Sequence, residues 1–531
     1  MNVTSENVAK AITNAALSRI ITDDPILADR KDGFPEVGTT RPDGKNYSKA
    51  VLKVAEGYKV YDELVAAGRL RPNERELNYT SGNPLNYDAF QGSKKQIAKY
   101  LDDKKMHAYP YTEGDDERRL EILRYLEREG FINNEPYSYE DIDEFGLSRH
   151  NLTFTNGTSQ AWQFIIETIA KPNDVIIFPG PNYGLFAIKP EKMNCTVELI
   201  PMEKEDGYLV NPEKLAKLIL ETNAKLAKEY VNASYIPKVV AFVNANPNNP
   251  TGKSMGEEET ERLTAIGNVC KENSVFVIDD LVYRDIVFDE KKKAKPMASI
   301  PGMFRNTISI LGLSKSYGMP AIRAGMVVAD EVIIRKIINL IFRDEDAISA
   351  IAGEALSGAF NATDERYNTY EVYFKHLRKA YIDRYNIVKA LVCGISSIQI
   401  YERENVLRNI FEYANDVNET EIKEMLENGI KGVEILDNLE PESGFFLLLC
   451  FNGLKGKHYG NDVINNEVDC LRYFYKKIKL RYILGSGCLW PNENDIMGRI
   501  TFAKPKEELV YLCSKINWAV KQLDKNEKTP I

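Results

Sequence analysis

From about residue 115 onward the chain alternates short, almost wholly apolar runs with longer amphipathic stretches. That alternation restricts the fold more than any other feature. Residues 152–155, 174–178, 196–201, 239–244, 275–279, 307–311 and 324–328 read as strands, and 159–169, 257–271 and 333–341 have helical spacing. Strands buried on both faces lose the polar alternation of a half-exposed strand, and strand–helix–strand order makes successive strands parallel. The expected architecture is α/β, with a large domain whose mostly parallel seven-stranded sheet lies between helices.

A chain of 531 residues exceeds what one core usually organises, which is roughly 250–300 residues. A long helix over 367–392 is expected to carry the chain out of the large domain. Residues 444–449 and 499–503, together with 78–91, then make a smaller α+β domain built from both chain ends. The expected divisions are a mostly helical N-terminal extension (1–77, with helical spacing over 51–69), the first part of the small domain and cleft (78–114), the large domain (115–375) and the C-terminal small domain (376–531). Residues 132–149 and 223–238 are polar and read as surface inserts.

The net charge of −9 argues against a general nucleic-acid binder, and residues 1–75 carry 12 basic and 11 acidic side chains, too balanced for a DNA-binding appendage. Seven scattered cysteines without a C-x-x-C pair fit reduced thiols in a cytoplasmic protein and suggest no metal site. No run approaches the roughly 20 apolar residues of a membrane span, and residues 1–26 lack a secretory apolar segment. The N-x-S/T triplets, Asn156-Gly157-Thr158 among them, read as chance.

The chemistry concentrates just after the strands, where ligands bind in open α/β sheets. Lys315 stands in Leu313-Ser314-Lys315-Ser316-Tyr317-Gly318, with Arg323 eight positions on. Upstream lie Asn249-Pro250-Thr251-Gly252 and Asp280-Leu281-Val282-Tyr283. An amine, a carboxylate, a phenol, an amide and a guanidinium are the parts needed to hold pyridoxal phosphate as a Schiff base. Alone, the lysine would be read as a surface residue near a strand end, and the asparagine run as a turn. Their joint order makes the functional reading the better one. Asn156-Gly157-Thr158-Ser159 follows a strand and opens a helix, so its amides and the helix N-terminus suit an anion.

With these motifs, residues 78–515 resemble the class I/II, fold-type I pyridoxal-phosphate aminotransferases. The resemblance implies that Lys315 forms the Schiff base and moves a proton at the substrate, Asp280 pairs with the pyridinium nitrogen, and Tyr283 and Asn249 bond the ring oxygen. Gly157, Thr158, Ser159, Ser314 and Arg323 would hold the phosphate. Tyr183, in Pro179-Gly180-Pro181-Asn182-Tyr183, would stack on the ring. Tyr109, with Tyr111 as its rival, would reach the phosphate of a neighbouring subunit, which implies a homodimer or a higher homo-oligomer. Arg499, in Met497-Gly498-Arg499-Ile500-Thr501, would clamp the substrate carboxylate, with Asn249 and Asn83 lining the same cleft. The loop 443–445 is expected there too, and Arg343 is one of several candidates for an acidic side chain. One position departs from the family: Gly312 stands where many relatives have Ser or Thr, which puts a phosphate hydrogen bond in doubt.

The implied activity is amino-group exchange between an amino acid and a 2-oxo acid. The alternatives are a lyase or decarboxylase of the same fold, resembling aspartate 4-decarboxylases or aminocyclopropane-carboxylate synthases, and more remotely an aminotransferase-like transcription regulator. The shared cofactor chemistry does not separate the enzymes.

Overall fold

The structure, a computed structural model, describes residues 41–67, 76–84, 88–131, 146–436 and 440–524. Its centre is a seven-stranded sheet. The strands are β1 (Leu152–Asn156), β2 (Val175–Gly180), β3 (Thr196–Pro201), β4 (Val239–Ala245), β5 (Phe276–Asp280), β6 (Thr307–Gly312) and β7 (Ala324–Val328), in the spatial order β1-β7-β6-β5-β4-β2-β3. Neighbours from β3 to β6 are parallel, whereas β7 runs antiparallel to both β6 and β1. All seven expected strands are present, each within two residues of its predicted ends.

Successive side chains of a strand point to opposite faces, and here both faces are covered. Ile176, Phe178, Ala241 and Val243 join one core with Ala161, Phe164 and Ile165 of the helix Thr158–Ile169. Val175, Ile177, Val239 and Phe242 join the other, with Leu215 and Ile219 of Pro212–Glu229 and Leu263 and Ile266 of Thr260–Glu272. Each such Val, Leu, Ile or Phe side chain contributes roughly 1.5–3 kcal/mol when fully buried. That explains why these strands read as continuous apolar runs. The stretch 223–238 lies on the surface as expected, but its first half completes the helix Pro212–Glu229, anchored by buried Leu226. Most of 132–149 falls outside the described residues.

The 30-residue helix Asp364–Cys393 leads to a second, antiparallel sheet of β8 (Glu434–Ile435), β9 (Phe446–Cys450), β10 (Ile483–Leu484) and β11 (Met497–Thr501), ordered β10-β11-β9-β8. Residues Leu77–Asn78 pair in parallel with Leu480–Arg481. Just beyond, the Tyr79 carbonyl accepts from the Thr501 amide at 3.1 Å. The N-terminal segment is thereby stitched alongside β11. The helical spacing over 51–69 is realised as the helix Lys49–Ala67, and residues 1–40 of the expected extension lie outside the described residues. Among the described residues, no helix is long and apolar enough to cross a membrane.

Candidate active site

Five strand ends set the site: Asn156, Gly180, Ala245, Asp280 and Gly312 terminate β1, β2, β4, β5 and β6. Lys315 sits in the turn after β6, and its Nζ donates to the Gly82 carbonyl at 2.6 Å. Burial pushes its pKa down to about 8, helped by Arg499 and Arg323 and opposed by Asp280. For Asp280 burial acts in the other sense and pushes its pKa up to about 6, offset by the Val282 amide, 3.2 Å away, and by Lys315. Neighbouring Asp279 is wholly buried and accepts from the Asn244 side chain and the Met297 amide, both at 2.8 Å. Alternation along β5 therefore turns Asp279 into the core and leaves Asp280 at the cleft.

The Asp280 shift has a measurable consequence. Between its ordinary value of 3.8 and its native value of about 6, the unfolded chain has released a proton that the native protein retains. Stability therefore falls as pH rises through that window and levels off above it. In the cofactor-free protein, Asp280→Asn is expected to raise the melting temperature, with a gain smallest near pH 4, growing towards pH 7 and flat beyond. Thermal scans across pH check this; a gain independent of pH contradicts it.

Tyr283 is 5 % exposed, and burial drives its phenol pKa upward. Its ring meets Phe445 and Phe446 edge-on, at 5.6 and 6.1 Å between centroids. The loop 443–445 lies beside it, where the Ser443 hydroxyl donates to the Tyr283 carbonyl at 3.4 Å and the Gly444 amide to the Ile286 carbonyl at 3.0 Å. Arg499, in the middle of β11, is 5 % exposed. It donates to the Asn249 side-chain oxygen at 3.1 Å and the Thr80 carbonyl at 2.9 Å, and its guanidinium lies 4.1 Å from the Phe446 ring centre. Its Nε is buried without a partner among the described residues.

At the N-terminus of Thr158–Ile169, Gly157 adopts φ +81°, a conformation costly for residues with a Cβ. A Cβ there would also lie 2.5 Å from an Arg323 guanidinium nitrogen, so Arg323 is seated against this turn. Arg323 itself is exposed and left-handed, at φ +56°. Thr158 is half-buried, Ser159 exposed and Ser314 buried. Gly312 has a steric explanation: a Cβ there would lie 2.8 Å from the Thr158 methyl and 3.0 Å from the Ala324 carbonyl. The chain has closed the space that a serine would need. Gly312→Ser is accordingly expected to weaken anion binding and lower stability by about 1–3 kcal/mol, the usual cost of overpacking. Chemical denaturation and phosphate titration check this, and a gain in either contradicts it.

Tyr183 is half-buried, edge-on to Phe186 at 5.1 Å, and faces Arg499 and Cys488 electrostatically. A further phenol, Tyr58, enters this cleft without any motif to announce it. Its helix, Lys49–Ala67, packs so closely that Val54 lies 3.0 Å from where a Gly184 Cβ would be, and Tyr58 feels Tyr183, Arg499 and Cys488. Helical spacing announced the helix but not its destination. Other expectations are met differently. Asn83 is exposed and its amide donates to Ser81 Oγ at 3.0 Å, so the backbone of Gly82, rather than the Asn83 side chain, reaches Lys315. Tyr109 and Tyr111 are 93 % and 70 % exposed on the outside of this chain. Arg343 is also exposed, bonding Asp344 and Glu167. No cluster of three or more metal-ligating side chains occurs among the described residues.

Comparison with known proteins bears on this geometry. The family model "Aminotransferase class I and II" matches residues 76–411. The chain belongs to that family. It is therefore an enzyme of the transaminase class. A probable N-acetyl-LL-diaminopimelate aminotransferase of Bacillus subtilis (strain 168) is 27 % identical over 333 residues, 61 % of this chain and 72 % of that one. An aspartate aminotransferase of Musicola paradisiaca is 27 % identical over 190 residues, 36 % of this chain and 42 % of its own. The crystal structure of an aspartate aminotransferase from Rhizobium meliloti superposes with a TM-score of 0.66 at 18 % identity, covering 91 % of this chain and 100 % of that one. At that identity the likeness is one of fold.

Proposed function

We propose that this transaminase binds pyridoxal 5′-phosphate covalently through Lys315 and exchanges an amino group between an L-amino acid and a 2-oxo acid. The observation that carries the reading is a half-buried amine, bonded to the Gly82 carbonyl at 2.6 Å, whose pKa burial lowers and which feels the carboxylate that ends β5. The surroundings fit the cofactor: a glycine cradle against Arg323 for its phosphate, and an orphaned guanidinium N–H in the cleft for a substrate carboxylate. When bound, pyridoxal phosphate supplies an electron sink for the carbanion formed at the substrate Cα.

The rest is the work of the chain. Asp280 holds the proton on the ring nitrogen, while Asn249 and Tyr283 hydrogen-bond the ring oxygen. Amides and hydroxyls of Gly157, Thr158 and Ser159 at a helix N-terminus, with Ser314 and Arg323, bind the phosphate dianion. Tyr183 covers the ring face. Arg499 takes the α-carboxylate through its fork and so orients the Cα–H bond. Lys315 moves the proton from that carbon. With a pKa near 8, about a tenth of its amine is already neutral at pH 7.

We assign Tyr109 to the phosphate of a second copy of the chain, which makes the active unit a homodimer; its near-complete exposure supports this. Full activity from a chain that sediments as a monomer at assay concentration would sink that part. The seven free cysteines, six of them buried, support a reducing, cytoplasmic setting. To test the central reading, the loaded enzyme is mixed with single amino acids and no oxo acid. A panel of aspartate, diaminopimelate and aromatic amino acids follows from the relatives' names. One oxo acid released per chain, followed by arrest, is expected; sustained turnover would favour a lyase or decarboxylase instead.

A further inference from the structure

Behind the cleft lies a polar cluster that the chemistry above does not use. Asp285 follows Tyr283 by two residues and is 5 % exposed. One of its oxygens accepts from the Tyr370 hydroxyl at 2.7 Å, the other from the Tyr317 hydroxyl at 3.1 Å. Arg284 and Lys293 approach it at 3.9 and 3.8 Å, and both also bond Glu129 at 2.7 Å. Burial alone would raise the Glu129 pKa, yet the two cations hold it down at about 2. The four charges thus balance in pairs.

Tyr317 is fully buried and lies two residues beyond Lys315, with its ring edge-on to Phe90, Phe360 and Phe374. A phenylalanine would fill that aromatic nest without a buried carboxylate. The residue between them, Ser316, donates to the Val282 carbonyl at 3.1 Å. Two consecutive side chains following Lys315 are therefore tied to the loop 280–285. Burying a carboxylate costs free energy unless its bonds are complete, and here the completed bonds join the two segments bearing the amine and its partner.

We infer that Asp285 is a positioning residue: through Tyr317 it fixes the turn carrying Lys315 against the loop carrying Asp280 and Tyr283. This rests on reading Lys315 as the point of cofactor attachment. The groups facing the amine are Asp280 from β5, Arg499 from β11, Arg323 from the turn before β7 and the Gly82 carbonyl. Loosening the turn lets the amine move away from the two arginines and towards water.

The test uses the full-length chain, with and without added pyridoxal phosphate. Trace acetic anhydride labelling at residue 315, read by mass spectrometry across pH, gives the titration midpoint of the amine without cofactor. The visible band of the loaded protein gives a second midpoint. Tyr317→Phe and Asp285→Asn are each expected to raise the labelling midpoint by about half a pH unit or more and to shift the band's midpoint. Tyr370→Phe removes the other phenol from Asp285 without touching the Lys315 turn. It is expected to lower the melting temperature and leave both midpoints in place. Unmoved midpoints in Tyr317→Phe and Asp285→Asn overturn the inference. So does an equal shift in Tyr370→Phe, which would mean general loosening. A wild-type band that survives Lys315→Ala defeats the attachment reading instead, and the labelling midpoints still decide what Asp285 does.

Discussion

Lys315→Ala is expected to abolish the near-visible absorbance of the protein loaded with pyridoxal phosphate and to reduce turnover by about 10⁴-fold or more. Two losses combine: covalent attachment, and the positioned base that moves the Cα proton, the latter alone worth roughly 10²–10⁴-fold. Both roles need an amine placed where Lys315 is, within the field of Asp280, Arg323 and Arg499 together. Borohydride reduction followed by peptide mapping is the check. Label on residue 315 in the parent and none in the variant is the expected result. A retained band in the variant, or label on another lysine, would show that the attachment point has been misplaced.

Arg499→Ala should lower kcat/KM for the amino acid by about 10²–10⁴-fold while leaving the visible band intact. Hydrogen bonds to charged groups are worth roughly 1.5–3 kcal/mol each, and a two-pronged carboxylate contact loses two. The side chain is held for this task from three directions: the Asn249 oxygen, the Thr80 carbonyl and the Phe446 face. A carboxylate arriving at its orphaned Nε meets an already oriented donor. Half-reaction kinetics separate the effects. If the variant loses cofactor but keeps its substrate KM, Arg499 belongs to the cofactor rather than the carboxylate.

The grouping of the candidate site residues was largely legible in the sequence. Most of the residues proposed for the cofactor follow strand ends within a few positions, so local sequence order reports their grouping: Asp280 ends β5, Lys315 comes three residues after β6, and Gly157 comes one after β1. Parts assembled from distant segments were harder to see. Tyr58 enters on a helix whose spacing says only that it has an apolar face. Thr80 reaches Arg499 because residues 77–79 run beside 480–481 and 501. The Gly312 departure was visible as a missing hydroxyl, but its cause, the Thr158 methyl and the Ala324 carbonyl in the same space, was not. Motif position points to Asn83, and which atom of that segment meets Lys315, the carbonyl of Gly82, is set by the tertiary fold.

The sequence by itself determined the layered α/β design, the run of strand ends and the reactive groups placed on them, because hydrophobic periodicity and short motifs are local properties of the chain. Only the tertiary structure decided the state of those groups. The lowered amine pKa comes from burial and from charges that include Arg499, 184 residues along the chain, the raised Asp280 pKa comes from burial, and the orphaned Arg499 donor from the way β11 packs. The tie from Asp285 to Tyr317 is of the same kind, spanning 32 residues. Desolvation and Coulomb interaction depend on distance in space, and no spacing in a linear pattern encodes that distance.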